Sequence, residues 1–113
     1  MEKIIEIARE IGLLIRDTDI YKRYERAGRM LDSDRQASET LDRFYKSSGE
    51  IENRKKMGDI IEQYEILELE SLRDEINRSP VILEYLKCEK EYAELLILIQ
   101  KEIRSNEEQG NQL

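Results

Sequence analysis

The chain has 113 residues, of which 26 are acidic and 19 basic, for a formal net charge of −7. It contains no His and one Cys, which excludes a Ser-His-Asp or Cys-His catalytic centre and leaves too few ligands for a typical zinc site. The acidic balance argues against binding to a phosphate backbone as the main task. Five glycines and one proline leave little material for turns, and the abundant Glu, Lys, Arg, Leu and Ile favour an all-α fold.

Apolar residues spaced three and four apart predict a helix from about Glu2 to Arg16 and a second from about Asp19 to Leu31. The stripe of the first helix is wide, which indicates contacts on more than one side. Thr18 is predicted to be the N-cap of the second. The two helices carry their apolar faces on Ile4, Ala8, Ile11 and Ile15, and on Ile20, Tyr24, Ala27 and Leu31.

A third helix is predicted after Ser33, which forms a candidate capping box with Gln36. Its face holds Ala37, Leu41, Phe44, Ser48 and Ile51, with a candidate bend at Ser48-Gly49 and an end near Gly58. A fourth helix is predicted from about Ile60 to Asn77. Its predicted buried residues are Ile60, Tyr64, Leu67, Leu69, Leu72 and Ile76.

The last helix is predicted from Pro80, after Ser79 as N-cap, to about Ser105. Its ~39 Å length exceeds the ~30 Å diameter of a small domain, so a further surface is expected to cover it. The sequence therefore predicts a single helical domain over residues 1–105, a flexible polar tail over residues 106–113, and a homodimer or higher homo-oligomer. The predicted fold is a bundle of four to five helices.

Three segments resemble the YlbF/YmcA family of small helical bacterial proteins, and the resemblance extends over most of residues 4–103. They are Ile7-Ala8-Arg9-Glu10-Ile11-Gly12-Leu13-Leu14-Ile15, Tyr21-Lys22-Arg23-Tyr24-Glu25-Arg26-Ala27, and the run from Asn77-Arg78-Ser79-Pro80 to Leu96. The resemblance implies a non-enzymatic regulator of competence, sporulation or biofilm formation that self-associates through its helices. It also implies sister family proteins and an endoribonuclease complex that modulates mRNA processing as partners.

Some complexes of that family carry iron–sulfur clusters, so the resemblance raises the question of a cofactor. This chain ends without a cysteine-rich extension, and Cys88 alone supplies one thiolate where about four are needed. We therefore expect no cofactor of its own, with a cluster shared with partner proteins as the alternative. Cys88 itself occupies an apolar position between Tyr85 and Tyr92, where a small buried side chain is the simplest interpretation.

The predicted interface lies on the last helix, because that helix is longer than its own domain. Tyr85 and Tyr92 are its candidate anchors, since Tyr is enriched in binding hot spots. The predicted interface residues are Val81, Tyr85, Cys88, Tyr92, Leu95, Leu96 and Ile99. A candidate basic patch is formed by Arg54, Lys55 and Lys56, which also suit the end of a helix.

These observations favour a regulatory or adaptor protein that acts through helix surfaces in the cytoplasm, without catalytic residues, metal ligands or insertion into a membrane. The longest apolar run, Leu95 to Ile99, is too short to span a bilayer. The main alternative is a structural or chaperone-like bundle without a dedicated partner. A carboxylate–metal enzyme and a nucleic-acid-binding module are further alternatives with little support in the sequence.

Overall fold

The computed structural model describes residues 1–111, and the side chains of residues 1–105. The described part of the chain contains five α-helices and no strand, which confirms the predicted all-α fold. The helices are α1 (Glu2–Arg16), α2 (Asp19–Ser33), α3 (Arg35–Lys56), α4 (Gln63–Asn77) and α5 (Pro80–Asn111).

Two of the predicted helix starts are confirmed by their capping hydrogen bonds. The hydroxyl of Thr18 accepts a hydrogen bond of 3.2 Å from the Tyr21 backbone N–H at the start of α2. The hydroxyl of Ser79 accepts one of 3.3 Å from the Ile82 backbone N–H, and Pro80 is the first residue of α5. Each cap satisfies a backbone donor that has no partner within its own helix.

The start of α3 differs from the prediction, because Asp34 and not Ser33 caps it. The Asp34 carboxylate accepts a hydrogen bond of 3.1 Å from the Ala37 backbone N–H. Ser33 is instead the last residue of α2, and its hydroxyl donates to the Arg29 carbonyl oxygen at 2.9 Å. Of these two adjacent residues, Ser33 therefore ends α2 and Asp34 caps the start of α3.

Helix α3 runs without interruption past Ser48-Gly49, where the sequence offers a candidate bend, and ends in a turn at Gly58. Gly58 has φ +81°, and its N–H bonds to the Lys55 carbonyl at 3.1 Å, while the Asp59 N–H bonds to that of Arg54 at 2.9 Å. This is the Schellman pattern, in which a left-handed residue lets the chain leave the helix. The turn displaces the start of α4 to Gln63, three residues later than predicted.

Helix α5 is longer than the sequence predicts. It has 32 residues, about 48 Å at ~1.5 Å per residue, and continues to Asn111 instead of ending near Ser105. Of the tail predicted over residues 106–113, the backbone of 106–111 is therefore helical, and residues 112 and 113 lie outside the described residues.

The chain divides into two compact units. The central unit comprises residues 27–85, and the terminal unit comprises residues 1–26 and the chain from Leu86 onward. The central unit therefore holds α3, α4, the second half of α2 and the start of α5. The terminal unit holds α1, the start of α2 and the rest of α5.

In the central unit, α3 and α4 pack antiparallel. Thr40, near the start of α3, donates a hydrogen bond of 3.4 Å to Glu75, near the end of α4. Arg54, near the end of α3, donates to Glu65, near the start of α4. The buried apolar residues of this unit are Ala27, Leu31, Ala37, Leu41, Ile51, Leu72, Ile76 and Ile82.

The predicted buried face of α4 is only partly correct. Leu72 and Ile76 are buried, as predicted, whereas Leu69 is half-buried. Tyr64 and Leu67 are exposed, and so is Ile60 in the preceding loop. At 3.6 residues per turn, Leu67 lies on the opposite side of the helix from Ile76 and Tyr64 lies about a third of a turn from it, so part of the apolar surface packs in the core and part faces solvent. The prediction that all of them are buried is wrong because this helix has two apolar faces and one neighbouring layer.

Candidate interaction surface

The terminal unit exposes much of its apolar surface. No residue of α1 is buried, and the exposed fractions of Ile4 and Leu14 are 67% and 69%. Among the described side chains of this unit, Cys88 alone is both apolar and buried. Large exposed apolar residues lie in α1 (Ile4, Ile5, Ile7, Leu13 and Leu14) and in the later part of α5 (Ile97, Leu98 and Ile103).

An apolar groove of about 400 Å³ runs between α1 and α5 within this unit. Leu14 and Ile103 belong both to the groove and to the exposed apolar side chains. The groove is lined by Ile11, Leu14, Ile15, Thr18, Leu95, Ile99, Glu102 and Ile103. Aliphatic side chains from two helices thus form a concave surface that an apolar segment could fill.

Three tyrosines connect the start of α2 to α5. The ring of Tyr92 stacks on that of Tyr24, with centroids 4.9 Å apart and an interplanar angle of 7°. Its centroid also lies 5.6 Å from that of Tyr21. Beside the rings, the Arg23 guanidinium donates to the Glu91 carboxylate at 3.0 Å. Aromatic pairs at these distances stabilise by about 0.5–1.5 kcal/mol each beyond their buried area.

The side chains predicted to form an interface on α5 are less exposed to solvent than the apolar side chains of α1. Cys88 is 2% exposed, which agrees with its interpretation as a buried side chain. Tyr92 already packs against two rings of its own chain, while Leu95 and Ile99 line the groove. The half-buried members are Val81, Tyr85, Tyr92, Leu95, Leu96 and Ile99, and their role in an interface stays a prediction.

The exposed face of α1 is not among the predicted interface residues. The width of its apolar stripe is the signal that points to it, because a stripe wider than one neighbouring helix can cover leaves side chains facing solvent. A pattern of three- and four-residue steps does not reveal how many neighbouring helices are present, so the pattern alone does not separate a core helix from an exposed one.

The basic patch is partly used within the chain. The Arg54 guanidinium donates to the Glu65 carboxylate and, at 3.2 Å, to the Ile60 carbonyl oxygen. The hydrogen bond from Arg54, together with one of 2.9 Å from the Glu62 backbone N–H, lowers the pKa of Glu65. The hydrogen bond to Glu65 raises the pKa of Arg54. Lys55 and Lys56 are exposed in the last turn of α3, where cations favour the helix dipole.

Neither a metal centre nor a membrane span is found among the described residues. No group of three or more His, Cys, Asp or Glu side chains there could hold a metal ion. Within the same part of the chain, no helix combines the length and the apolar character needed to cross a membrane.

Comparison with known proteins identifies the family. The profile of the family described as "Control of competence regulator ComK, YlbF/YmcA" matches residues 4–106. The chain belongs to the YlbF/YmcA family. This confirms the resemblance inferred from the sequence, and the description of the family concerns regulation, not catalysis.

Two curated relatives are known only as UPF0342 proteins. The one from Caldicellulosiruptor bescii is 25% identical over 113 residues, which covers 100% of this chain and 95% of the relative. The one from Caldicellulosiruptor saccharolyticus is 26% identical over 101 residues, 89% of this chain and 84% of the relative. The likeness therefore extends over nearly the whole helical chain.

Proposed function

We propose that this protein is a non-enzymatic regulator that acts through helix-mediated protein–protein interaction, and that its terminal unit is the main contact surface. The exposed apolar face of α1, beside the apolar groove, is the observation that carries the proposal. Membership of a family described by the control of a competence regulator supports the regulatory role.

The first partner that we propose is a second copy of the chain. No residue of α1 is buried within the terminal unit, so the other helical segments of the unit leave apolar side chains of α1 in water. Burying one fully exposed Leu or Ile is worth roughly 1.5–3 kcal/mol. A second pair of helices placed on this face would complete a four-helix arrangement, the usual way for such stripes to be covered.

One pair of charges on α1 favours an antiparallel pairing of the two copies. Lys3 and Glu10 are seven residues apart, about two turns, and therefore lie on the same flank of the apolar face. If two α1 helices pack antiparallel, Lys3 of one copy faces Glu10 of the other, and twofold symmetry forms this pair twice. Arg9 lies on the far side of the helix from Ile11, so the two Arg9 side chains do not meet.

Sedimentation velocity at micromolar concentration tests the second copy. Wild-type protein is expected to sediment with twice the mass of one chain. Leu14→Glu places a charge on the face that lines the groove, and is expected to weaken association by at least about 30-fold, which corresponds to ~2 kcal/mol.

Leu13→Glu is the matched control, because Leu13 is also exposed but lies across the helix from Ile11 and Ile15. It should leave the mass unchanged. A wild-type mass equal to one chain, or the same loss of association in both variants, would contradict the proposed pairing.

The proposal extends to heteromeric partners. Sister family proteins could occupy the same face, and a complex with an endoribonuclease would connect the protein to mRNA processing and developmental control. The support is family membership together with a surface that takes a helix. Affinity purification of a tagged chain from the native organism tests it, with the Leu14→Glu variant as control. Recovery of a specific ribonuclease or family member by wild type alone is the expected result, and indiscriminate capture of unfolded proteins is the contradictory one.

The proposed regulator works without a cofactor of its own. The chain offers one thiol and no imidazole, and the single thiol, on Cys88, is buried. Absorption spectroscopy and metal analysis of the purified protein test this. An iron–sulfur absorption band in the isolated chain would contradict it, whereas a band that requires partner proteins would favour a shared cluster.

A further inference from the structure

Helix α4 carries a second apolar face that the core of the central unit does not use. Tyr64 and Leu67 are 67% and 54% exposed, three residues apart on one side of the helix, and Ser71 continues the same line four residues on. Ile60, four residues before Tyr64 in the preceding loop, is 83% exposed. We call Tyr64 and Leu67 the α4 stripe; Ile60 precedes the helix, so its spacing does not place it on this face.

The central unit has a complete core without the α4 stripe. Leu72 and Ile76, which lie across the same helix from Leu67, are buried, as are residues of α3. The Schellman turn at Gly58 and the Arg54–Glu65 hydrogen bond close the loop between the two helices. The unit therefore has a completed core and a closed loop, and leaves the α4 stripe facing outward.

Carboxylates border the α4 stripe on both sides. At 3.6 residues per turn, Glu68 and Glu75 lie along one edge of the stripe, and Glu70 and Asp74 lie along the other. All four residues are exposed. Arg73 is the one cation among residues 63–77, and its guanidinium lies 5.7 Å from the centre of the Phe44 ring of α3. The surface is therefore apolar between two acidic edges, and the Arg54 guanidinium lies at its N-terminal end, where it bonds to Glu65 and to the Ile60 carbonyl oxygen.

We infer that the α4 stripe binds an amphipathic helix of a partner protein, with apolar side chains along one line and Lys or Arg on both flanks. Apolar anchors at helical spacing would pack against Tyr64 and Leu67, and the flanking cations would meet the two acidic edges. Complementary charge of this kind selects partners and speeds association. An anionic lipid surface would be repelled by the same edges. The inference rests on the proposed function, because it names the class of partner for a second surface of the proposed regulator.

Fluorescence anisotropy with two synthetic peptides tests the inference on the full chain. The probe is a labelled helical peptide of about 18 residues, or five turns, with a Leu stripe and Lys flanks. Its twin has the same Leu stripe with Glu flanks. Wild-type protein is expected to bind the Lys peptide at least about 10-fold more tightly than the Glu peptide, and added salt should weaken that binding.

Two protein variants locate the contact. Leu67→Asp should weaken binding of the Lys peptide by about 10-fold or more, since it removes an apolar anchor. Met30→Asp is the matched control, because Met30 is 55% exposed in α2, and it should bind like wild type. Replacing Glu68, Glu70 and Asp74 together by Lys should reverse the preference between the peptides. Circular dichroism establishes that each variant remains helical.

Three results would overturn the inference: equal affinity for both peptides, no measurable binding of the Lys peptide by helical wild-type protein, or equal losses for Leu67→Asp and Met30→Asp. If Leu67→Asp instead lowers the sedimenting mass and leaves peptide binding unchanged, a second copy covers the α4 stripe and the inference is wrong. The pairing through α1 is decided separately by Leu14→Glu, so either proposal can fail alone.

Discussion

The central and terminal units are both built from helices with apolar residues three and four apart, yet they differ in what they bury. The central unit encloses eight apolar residues from four helices. The terminal unit, among its described side chains, encloses Cys88 and leaves the apolar face of α1 in solvent. An amphipathic helix gains most of its stability when another surface covers its apolar face. The central unit provides that surface within one chain, whereas the terminal unit leaves an exposed apolar patch of the kind found at protein interfaces.

The largest expected effect is the loss of a core side chain from the central unit. Leu72→Ala removes a side chain that is 3% exposed, and should lower the free energy of unfolding by about 2–5 kcal/mol through lost burial and the cavity left behind. Leu13→Ala in α1, where the side chain is exposed, should change it by less than about 0.5 kcal/mol. Urea denaturation at fixed protein concentration measures both. Similar decreases in the free energy of unfolding for the two variants would contradict the proposed difference between the units.

The second expectation concerns local stability, measured by amide hydrogen exchange. In dilute protein, amides in α1 should exchange roughly 100-fold faster than those in the middle of α3, because few buried contacts hold α1. Raising the concentration should slow exchange in α1 alone, since association covers it. Leu14→Glu should abolish this concentration dependence. Protection of α1 that is equal to that of α3 at every dilution would show that the terminal unit needs no partner.

A third prediction concerns the cap at the start of α3. Asp34→Ala removes the acceptor of the Ala37 N–H, and should destabilise the protein by about 1 kcal/mol. Ser33→Ala, one residue earlier, removes an exposed hydroxyl that bonds within α2, and should cost less than about 0.5 kcal/mol. The melting temperatures of the two variants distinguish the caps. A larger fall in melting temperature for Ser33→Ala than for Asp34→Ala would instead favour the capping box of Ser33 and Gln36 that the sequence predicts.

The smallest effect is expected from the hydrogen-bonded pair that closes the loop of the central unit. Because Arg54 lowers the pKa of Glu65 in the folded chain, the unfolded chain binds more protons at this site, and its contribution to stability is complete only above the unfolded pKa of about 4.3. The contribution is lost as the pH falls through the lower folded pKa. Glu65→Gln should therefore be less stable than wild type at neutral pH, and the difference should shrink as the pH falls through the folded pKa of Glu65. If the difference in stability between wild type and Glu65→Gln does not change with pH, the ionised Arg54–Glu65 pair is not its source.

Much of the fold was predictable because its causes are local in the chain. Helical periodicity located all five helices, and the hydroxyls of Thr18 and Ser79 marked two of their starts. Where two capping residues are adjacent, as in Ser33-Asp34, the sequence offers two equivalent answers, and backbone geometry selects one. The predicted end of α5 is too early because polar residues after Ser105 resemble a tail, although the helix continues.

The candidate surfaces were less predictable, because burial depends on which helices become neighbours. Ile4 and Ile76 are the same residue type at the same kind of spacing, yet Ile4 is exposed and Ile76 is buried. Tyr64 and Ile76 belong to one continuous apolar pattern along α4, and packing against α3 divides that pattern into a buried and an exposed face. The residues predicted for an interface on α5 include two that line the groove, Leu95 and Ile99, and none from α1.

The helical class, the family and the absence of His-based chemistry follow from residue types and their local spacing. Which apolar faces are covered depends instead on how the helices pack. A central unit with its own core, an uncovered α1 and an α4 stripe between acidic edges all arise from contacts between residues far apart in the chain. Residue spacing specifies where a helix is apolar, whereas the packing of its neighbours specifies how much of that surface remains for a partner.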